Sequence, residues 1–327
     1  MTNTTNTTNT SYRVLGDTHL GRQFVNNVPL HRRGDHEKIV WAKFREQLVI
    51  AEHVDVLVHM GDLFDKAVVP YSVVYRAADE YLTAARNYPE TEFVILRGNH
   101  DTSRDLQAVS AFDLFTMIVR NVDNIVVVDE DWQRIGDLVF FSWHPVTSAD
   151  AIVEDFINNY EADVQGMTAF GHWDVDPRSD PFNMIPTEQL AFHGITKAYT
   201  GHDHLRREFD RDDVHVNVVG SMLPFAHGED AYGTTYVTLT LDEARTATDL
   251  KDKCVRVKLE PGEVFDLELD CLQLQVQRAD AEAPLEVELG EFDLGALFEL
   301  SMETNAVPET IRAELRLEWS KGFTTKL

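Results

Sequence analysis

Five short apolar segments of this chain run straight into glycine and then into aspartate, asparagine or histidine. They are YRVLGDTH (Tyr12 to His19), DVLVHMGDLFD (Asp55 to Asp65), EFVILRGNHD (Glu92 to Asp101), MTAFGHWD (Met167 to Asp174) and AYTGHDH (Ala198 to His204). Short, β-branched apolar runs of this kind read as buried strands. Where such strands lie in an open α/β sheet, ligands gather at their carboxyl ends, because the loops converge there. The glycines Gly16, Gly61, Gly98, Gly171 and Gly201 permit the tight turn and close backbone approach that such a convergence needs. Residues far apart in sequence are therefore expected to meet in one place.

Helical patterns fill the gaps, from Glu37 to His53 and from Ser72 to Arg86, and further strands are predicted at LVFFSW, VHVNVVG and YVTLTL. Strands alternating with helices predict an α/β fold. After Cys254 the pattern changes to VRVKL and VFDLELD, a Pro/Glu-rich stretch, and amphipathic segments near 292–302 and 308–319. The expected organisation is a disordered Thr/Asn-rich tail at 1–10, a main domain at 11–270 and a small capping or partner-binding appendage at 271–327.

Composition removes several classes. No apolar run approaches the roughly 20 residues of a membrane span, and the N-terminus lacks a signal peptide's basic and apolar regions, so an intracellular, cytoplasmic protein is expected, in the host cytoplasm if viral. Cys254 and Cys271 are the only cysteines, which argues against a disulfide framework and reads as two free thiols. The 56 acidic residues against 29 basic ones give a formal charge of −27, which repels nucleic acid at long range. The same acidity also suits a high-salt cytoplasm.

The strand-end residues Asp17, His19, Asp62, Asn99, His172, His202 and His204 offer nitrogen and oxygen donors without thiolate, a set suited to Mn, Fe, Zn or Mg. They are too many for one ion. Two divalent ions sharing a carboxylate are the economical solution, and such a pair clamps the entering and leaving oxygens of a phosphoryl displacement.

The series GDTH, GDLFD, GNHD, GH and GHDH resembles the calcineurin-like metallophosphoesterase family over most of the chain. Within it, DTHLGR, GHDH followed by GSMLPFAHGED, and VRVKLEPGEVFDLELD are similar to the SbcD-type nuclease subunits of phage, viral and prokaryotic recombination complexes. That resemblance implies a β-sandwich flanked by helices (αββα) and a manganese-dependent exo- and endonuclease for double-stranded DNA ends, with magnesium as the alternative ion. It also implies a homodimer paired with an SbcC-type coiled-coil ATPase. By position, it assigns Asp17, His19, Asp62 and His204 to the first ion and Asp62, Asn99, His172 and His202 to the second. It makes His100 the group that steadies the phosphate and protonates the leaving oxygen. Asp65, where some nuclease members carry histidine, is expected to orient His100 by hydrogen bonding.

Arg22, Arg32, Arg33, Arg206 and Arg207 flank these motifs and are the candidate phosphate contacts. His59 reads as a core histidine, and His144 as the best outsider for a supporting role. The segment from Arg104 to Arg120 is read as core packing, with a homodimer interface as the family's alternative. Two rival functions stay open: a phosphatase or small-molecule phosphodiesterase on the same scaffold, and a non-catalytic interaction subunit. Against the first, GDLFDKA lacks the arginine of the protein-phosphatase GDxVDRG pattern and GNHD replaces GNHE; against the second, no ligand is missing.

Overall fold

The computed structural model describes residues 10–278 apart from 104, 106, 161–163, 177, 179, 180 and 231, together with 298, 299, 302, 307–309, 311–313, 315 and 316. The chain divides into two compact units, Met1–Arg278 and Ala279–Leu327. The amphipathic patterns at 292–302 and 308–319 lie largely outside the described residues, as does the tail before Thr10.

In chain order the first unit comprises β1 (Tyr12–Leu15), α1 (Asp35–Gln47), β2 (Val56–His59), α2 (Tyr71–Asn87), β3 (Glu92–Leu96), α3 (Ala111–Val119), β4 (Ile125–Val128), β5 (Trp132–Ile135) and β6 (Leu138–Phe141). It continues with α4 (Ala149–Asn159), β7 (Thr168–Gly171), α5 (Thr187–Phe192), β8 (Lys197–Thr200), β9 (Arg207–Arg211) and β10 (Val214–Val218). Last come β11 (Tyr236–Thr240), α6 (Leu241–Thr246), β12 (Cys254–Leu259) and β13 (Gln273–Arg278).

One sheet has the order β1-β2-β3-β4 and is wholly parallel; the second has the order β5-β6-β7-β8-β10-β9, with antiparallel edges. Parallel strands covered on both faces need continuous apolar sequence. β2 and β6 are accordingly buried at every position. Val58, Met60, Val94 and Leu96 of the first sheet meet Phe140 and Phe170 of the second in a central core. The first sheet's outer face packs on α1, α2 and α3 through Phe44, Tyr81, Phe93, Phe112 and Phe115. The second sheet packs on α4 and α5 through Val153, Phe156 and Leu190. The layers are thus helix, sheet, sheet, helix, the αββα arrangement that the family resemblance implies and a case of the α/β class that the strand pattern predicts.

Local sequence explains the helices. α2 buries Val74, Ala77, Ala78, Tyr81, Ala84 and Ala85, the spacing of one helical face. α3 begins at a reciprocal cap in which Ser110 Oγ accepts from Asp113 N and Asp113 Oδ2 accepts from Ser110 N. Phe112 and Phe115 face the core, whereas Val109, Met117 and Ile118 are exposed, so the apolar segment at 104–120 is only partly core; Arg104 and Leu106 lie outside the described residues.

A third sheet, β11-β12-β13, is parallel and stands on α6 and Leu241, Val255, Val257 and Leu259. VFDLELD is not a strand: residues 264–270 form no ladder, while Phe265, Leu267 and Leu269 lie partly buried against this sheet and the residues between them are exposed. Its partner strand is instead the more polar QLQVQR of β13. Cys254 and Cys271 are free thiols, both buried. No helix among the described residues is long and apolar enough to cross a membrane.

Candidate metal centre

The strand ends converge. Asp17, His19 and His204 bring one ligand atom each within 4.8 Å of one another, and so do Asp62, His172 and His202, with His19, Asp62 and His100 forming a third such group between them. Asn99 joins the second set, its Oδ1 lying 3.0 Å from both His172 Nε2 and His202 Nδ1. Asp62 reaches both sides, with Oδ2 3.8 Å from His19 Nε2 and Oδ1 3.4 Å from His172 Nε2.

The loops that carry these residues are stitched together by backbone. Asp62 O accepts from Thr18 N and His19 N, Leu63 O from Leu20 N, and Asp17 O from Met222 N at 2.8 Å. Asp17 Oδ2 accepts from His202 N at 3.0 Å, and Asp62 Oδ1 from His100 N at 2.9 Å. Asp101 braces the turn from below by accepting from Leu63 N, Phe64 N and Gly98 N. Glycine is required where backbone and ligand nearly touch. A Cβ at Gly61 would sit 2.4 Å from His172 Nδ1, and one at Gly201 2.7 Å from Asp17 Oδ1.

The electrostatics call for cations. Burial and the neighbouring Asp62 push the Asp17 carboxyl well above its usual range, and Asp17 Oδ1 is buried without any hydrogen-bond donor. Burial also works against the Asp62 carboxylate, yet His172, His19 and His100 hold it below the ordinary value. Burial lowers His19 to about 3, leaving it a neutral lone-pair donor. His19 Nε2 and His204 Nε2 lie 2.9 Å apart, a separation at which the two rings share one proton or, with both nitrogens deprotonated, ligate one ion side by side. The residues therefore fit a pair of divalent ions, with Asp17, His19, Asp62 and His204 placed to hold one and Asp62, Asn99, His172 and His202 the other.

His100 is exposed at the rim, and its Nδ1 lies 2.7 Å from the backbone carbonyl of Asp65. Since a carbonyl only accepts, Nδ1 carries the proton of this contact and Nε2 is the ring's other nitrogen, free of it. Asp65 therefore orients His100 through its main chain, while its carboxylate lies 3.7 Å from Arg22 Nη1.

The arginines separate. Arg22 lies over the Phe225 ring and lines a groove of about 980 Å³ with Asp65, Lys66, Asn99 and His100. Arg32 is not a phosphate contact: its side chain is 7% exposed and engages Asp35, Asp252 and Asp270, so its charge is consumed inside the fold. Arg33 is exposed and outside that groove. Arg206 lines a separate cavity of about 190 Å³ beside Asn217, and Arg207 pairs with Asp203 at 2.6 Å. His59 is a core histidine bonded to Thr18 Oγ1 at 3.0 Å. His144 does not support the ligands: its Nδ1 accepts from Val146 N and Thr147 N and caps a turn.

Three residues escape the sequence reading. Lys66 is the groove's second cation, Asp174 Oδ1 lies 3.1 Å from His202 Nε2, and Glu229 Oε1 lies 3.1 Å from His204 Nδ1. Asp174 is visible in GHWD, two residues after His172, and Glu229 in the segment GSMLPFAHGED.

No curated protein aligns significantly with the chain. Among solved structures it is similar to a phosphopantetheinyl hydrolase of Mycobacterium tuberculosis, at 12% identity and a TM-score of 0.37 over 65% of this chain and 90% of that one. It is similar also to a dimetal phosphatase of Danio rerio (12% identity, TM-score 0.39, 65% of this chain and 88% of that one). A third is a purple acid phosphatase from yellow lupin, Lupinus luteus, at 13% identity and a TM-score of 0.37 over 61% and 38%. The family model for calcineurin-like phosphoesterases matches residues 12–220, the span that contains all seven donors, and the chain belongs to that family.

Proposed function

We propose that the protein is a two-metal phosphodiesterase of the SbcD type that hydrolyses DNA from double-stranded ends. The observation that carries this reading is the groove beside the metal centre. It is about 980 Å³, open, and lined by Arg22 and Lys66 next to the exposed His100, which suits a polyanion with a scissile phosphate at the ligand cluster. Asp65 lines the same groove 3.7 Å from Arg22, so the two cations leave one positive charge in excess there, in a chain whose total is −27.

Asp17, His19, Asp62, Asn99, His172, His202 and His204 would hold a pair of divalent ions, which when bound would supply Lewis acidity for an in-line displacement at phosphorus. Manganese is the proposed ion, with magnesium the alternative. His100, its Nδ1 fixed by the Asp65 carbonyl, presents Nε2 to the leaving oxygen and delivers a proton to it when the ring is charged. The partners are DNA ends, an SbcC-type coiled-coil ATPase and a second copy of the chain. The exposed Tyr71 and Tyr75 of α2 and Met117 and Ile118 of α3, helices that pack on one another, are the proposed homodimer face.

The test is digestion of end-labelled linear duplex with manganese, wild type beside His100→Ala. Shortening of the label by wild type, with a loss of about 10²–10⁴-fold in the variant, is the expected result. Hydrolysis confined to phosphoproteins or cyclic nucleotides overturns it.

A further inference from the structure

We propose that Asp174 and Glu229 are positioning residues for the two ions, one for each: Glu229 through His204 for the first, Asp174 through His202 for the second. This rests on the two-ion reading above.

The outer nitrogens of the four site imidazoles differ in their partners. His204 turns Nε2 toward His19 and Asp17 and Nδ1 toward Glu229, at 3.1 Å. His202 turns Nδ1 toward Asn99 and Nε2 toward Asp174, also at 3.1 Å. His172 is backed only by a neutral group, its Nδ1 donating to Met60 O at 2.8 Å, and His19 Nδ1 is buried without a partner. Each ligand set therefore holds one carboxylate-backed imidazole. A carboxylate behind a ligating histidine fixes the tautomer, aims the ring and strengthens the donor.

Both carboxylates are held in place. Asp174 is pinned by its backbone, its N donating to Asn183 O and its O accepting from Ile185 N. Glu229 spends Oε2 on Phe225 N at 2.7 Å, and Phe225 in turn packs edge-on against His19 and His204. Charge points the same way. Two divalent ions bring four positive charges, and Asp17 and Asp62 are the only carboxylates in the ligand groups. Neighbouring acids are committed elsewhere: Asp101 to three backbone N–H groups, Asp65 to Arg22 and Asp203 to Arg207. Asp174 and Glu229 bring the negative charge to four, and they do so symmetrically.

The experiment is calorimetric titration of manganese into metal-free full-length protein, with electron paramagnetic resonance at two equivalents. Wild type is expected to bind two ions and give an exchange-coupled spectrum. Asp174→Asn and Glu229→Gln should each keep one event at wild-type affinity and weaken the other about 10–100-fold, with an isolated-ion signal appearing. The double variant should weaken both events, and Asp203→Asn should match wild type. Should an amide variant not fold, Asp174→Ser or Glu229→Ser supplies the same reading. Two wild-type events in either single variant, one surviving wild-type event in the double variant, or equal weakening in Asp203→Asn overturns the proposal. Fewer than two ions in wild type overturns the two-ion reading itself, and the proposal with it.

Discussion

His19, Asp62 and His202 hold left-handed backbone conformations, with φ of 43°, 50° and 70°. Each such residue costs about 1–3 kcal/mol and persists only where its surroundings determine it. Here the surroundings are the hydrogen bonds between loops and the glycines facing them, which makes the glycines the most sensitive positions to change. A Cβ at Gly98 would lie 2.2 Å from Asp62 Oδ1 and 2.3 Å from Asp62 N. The second of these is backbone and cannot rotate away. Gly98→Ala should therefore displace the shared carboxylate, reducing manganese affinity by at least about 10-fold and stability by about 1–3 kcal/mol. Gly228→Ala meets nothing within 4 Å and should stay within about 0.5 kcal/mol of wild type. Urea melts and metal titration of both variants check the contrast; equal behaviour would show that the cradle is not tight.

At the scale of elements, Asp230 shows how β11 is started. Its carboxylate accepts from Thr234 N, Thr235 N and Tyr236 N, the last being the first residue of that strand. Burial opposes the charge, yet these bonds outweigh it and hold the pKa at about 2 against an ordinary 3.8. A depressed pKa contributes stability that is full above 3.8 and disappears as pH falls through about 2. With allowance for partial exposure this is about 1–2 kcal/mol. The stability difference between wild type and Asp230→Asn should thus be constant above pH 4 and shrink between about pH 4 and 2; a difference unchanged across that window refutes it. The same region shows what sequence can and cannot convey. The five strand ends were legible because buried parallel strands need unbroken apolar runs and their loops need glycine. VFDLELD has the alternation of a half-buried strand and does bury every second residue, but alternation reports burial and says nothing of pairing. β9 (REFDR) and β13 (QLQVQR) are edge strands whose charges and amides suit solvent, so no apolar signal marks them. Glu229 stands in a legible segment, but its pairing with His204 does not show in sequence, because the two are 25 residues apart and meet only in the folded chain, where Glu229 also holds Phe225 N.

For the whole molecule the governing quantity is the excess of 27 negative charges. Folding gathers them onto one surface, and their mutual repulsion opposes the compact state. Salt acts on this through the Debye length, which falls from about 30 Å at 0.01 M to about 3 Å at 1 M. Ion pairs such as Arg45 with Glu80 or Arg316 with Glu299 are weakened by the same screening, but exposed pairs contribute only about 0–1 kcal/mol each. Every basic residue could be paired and the excess would remain, so relief of repulsion wins. Raising KCl from 0.01 to 1 M should therefore raise the melting temperature, by at least about 1.5 °C for roughly 1 kcal/mol in a chain of this length. Scanning calorimetry across that range checks it, and a melting temperature that falls with salt would mean that specific ion pairs, and not the net charge, dominate the electrostatics of this fold.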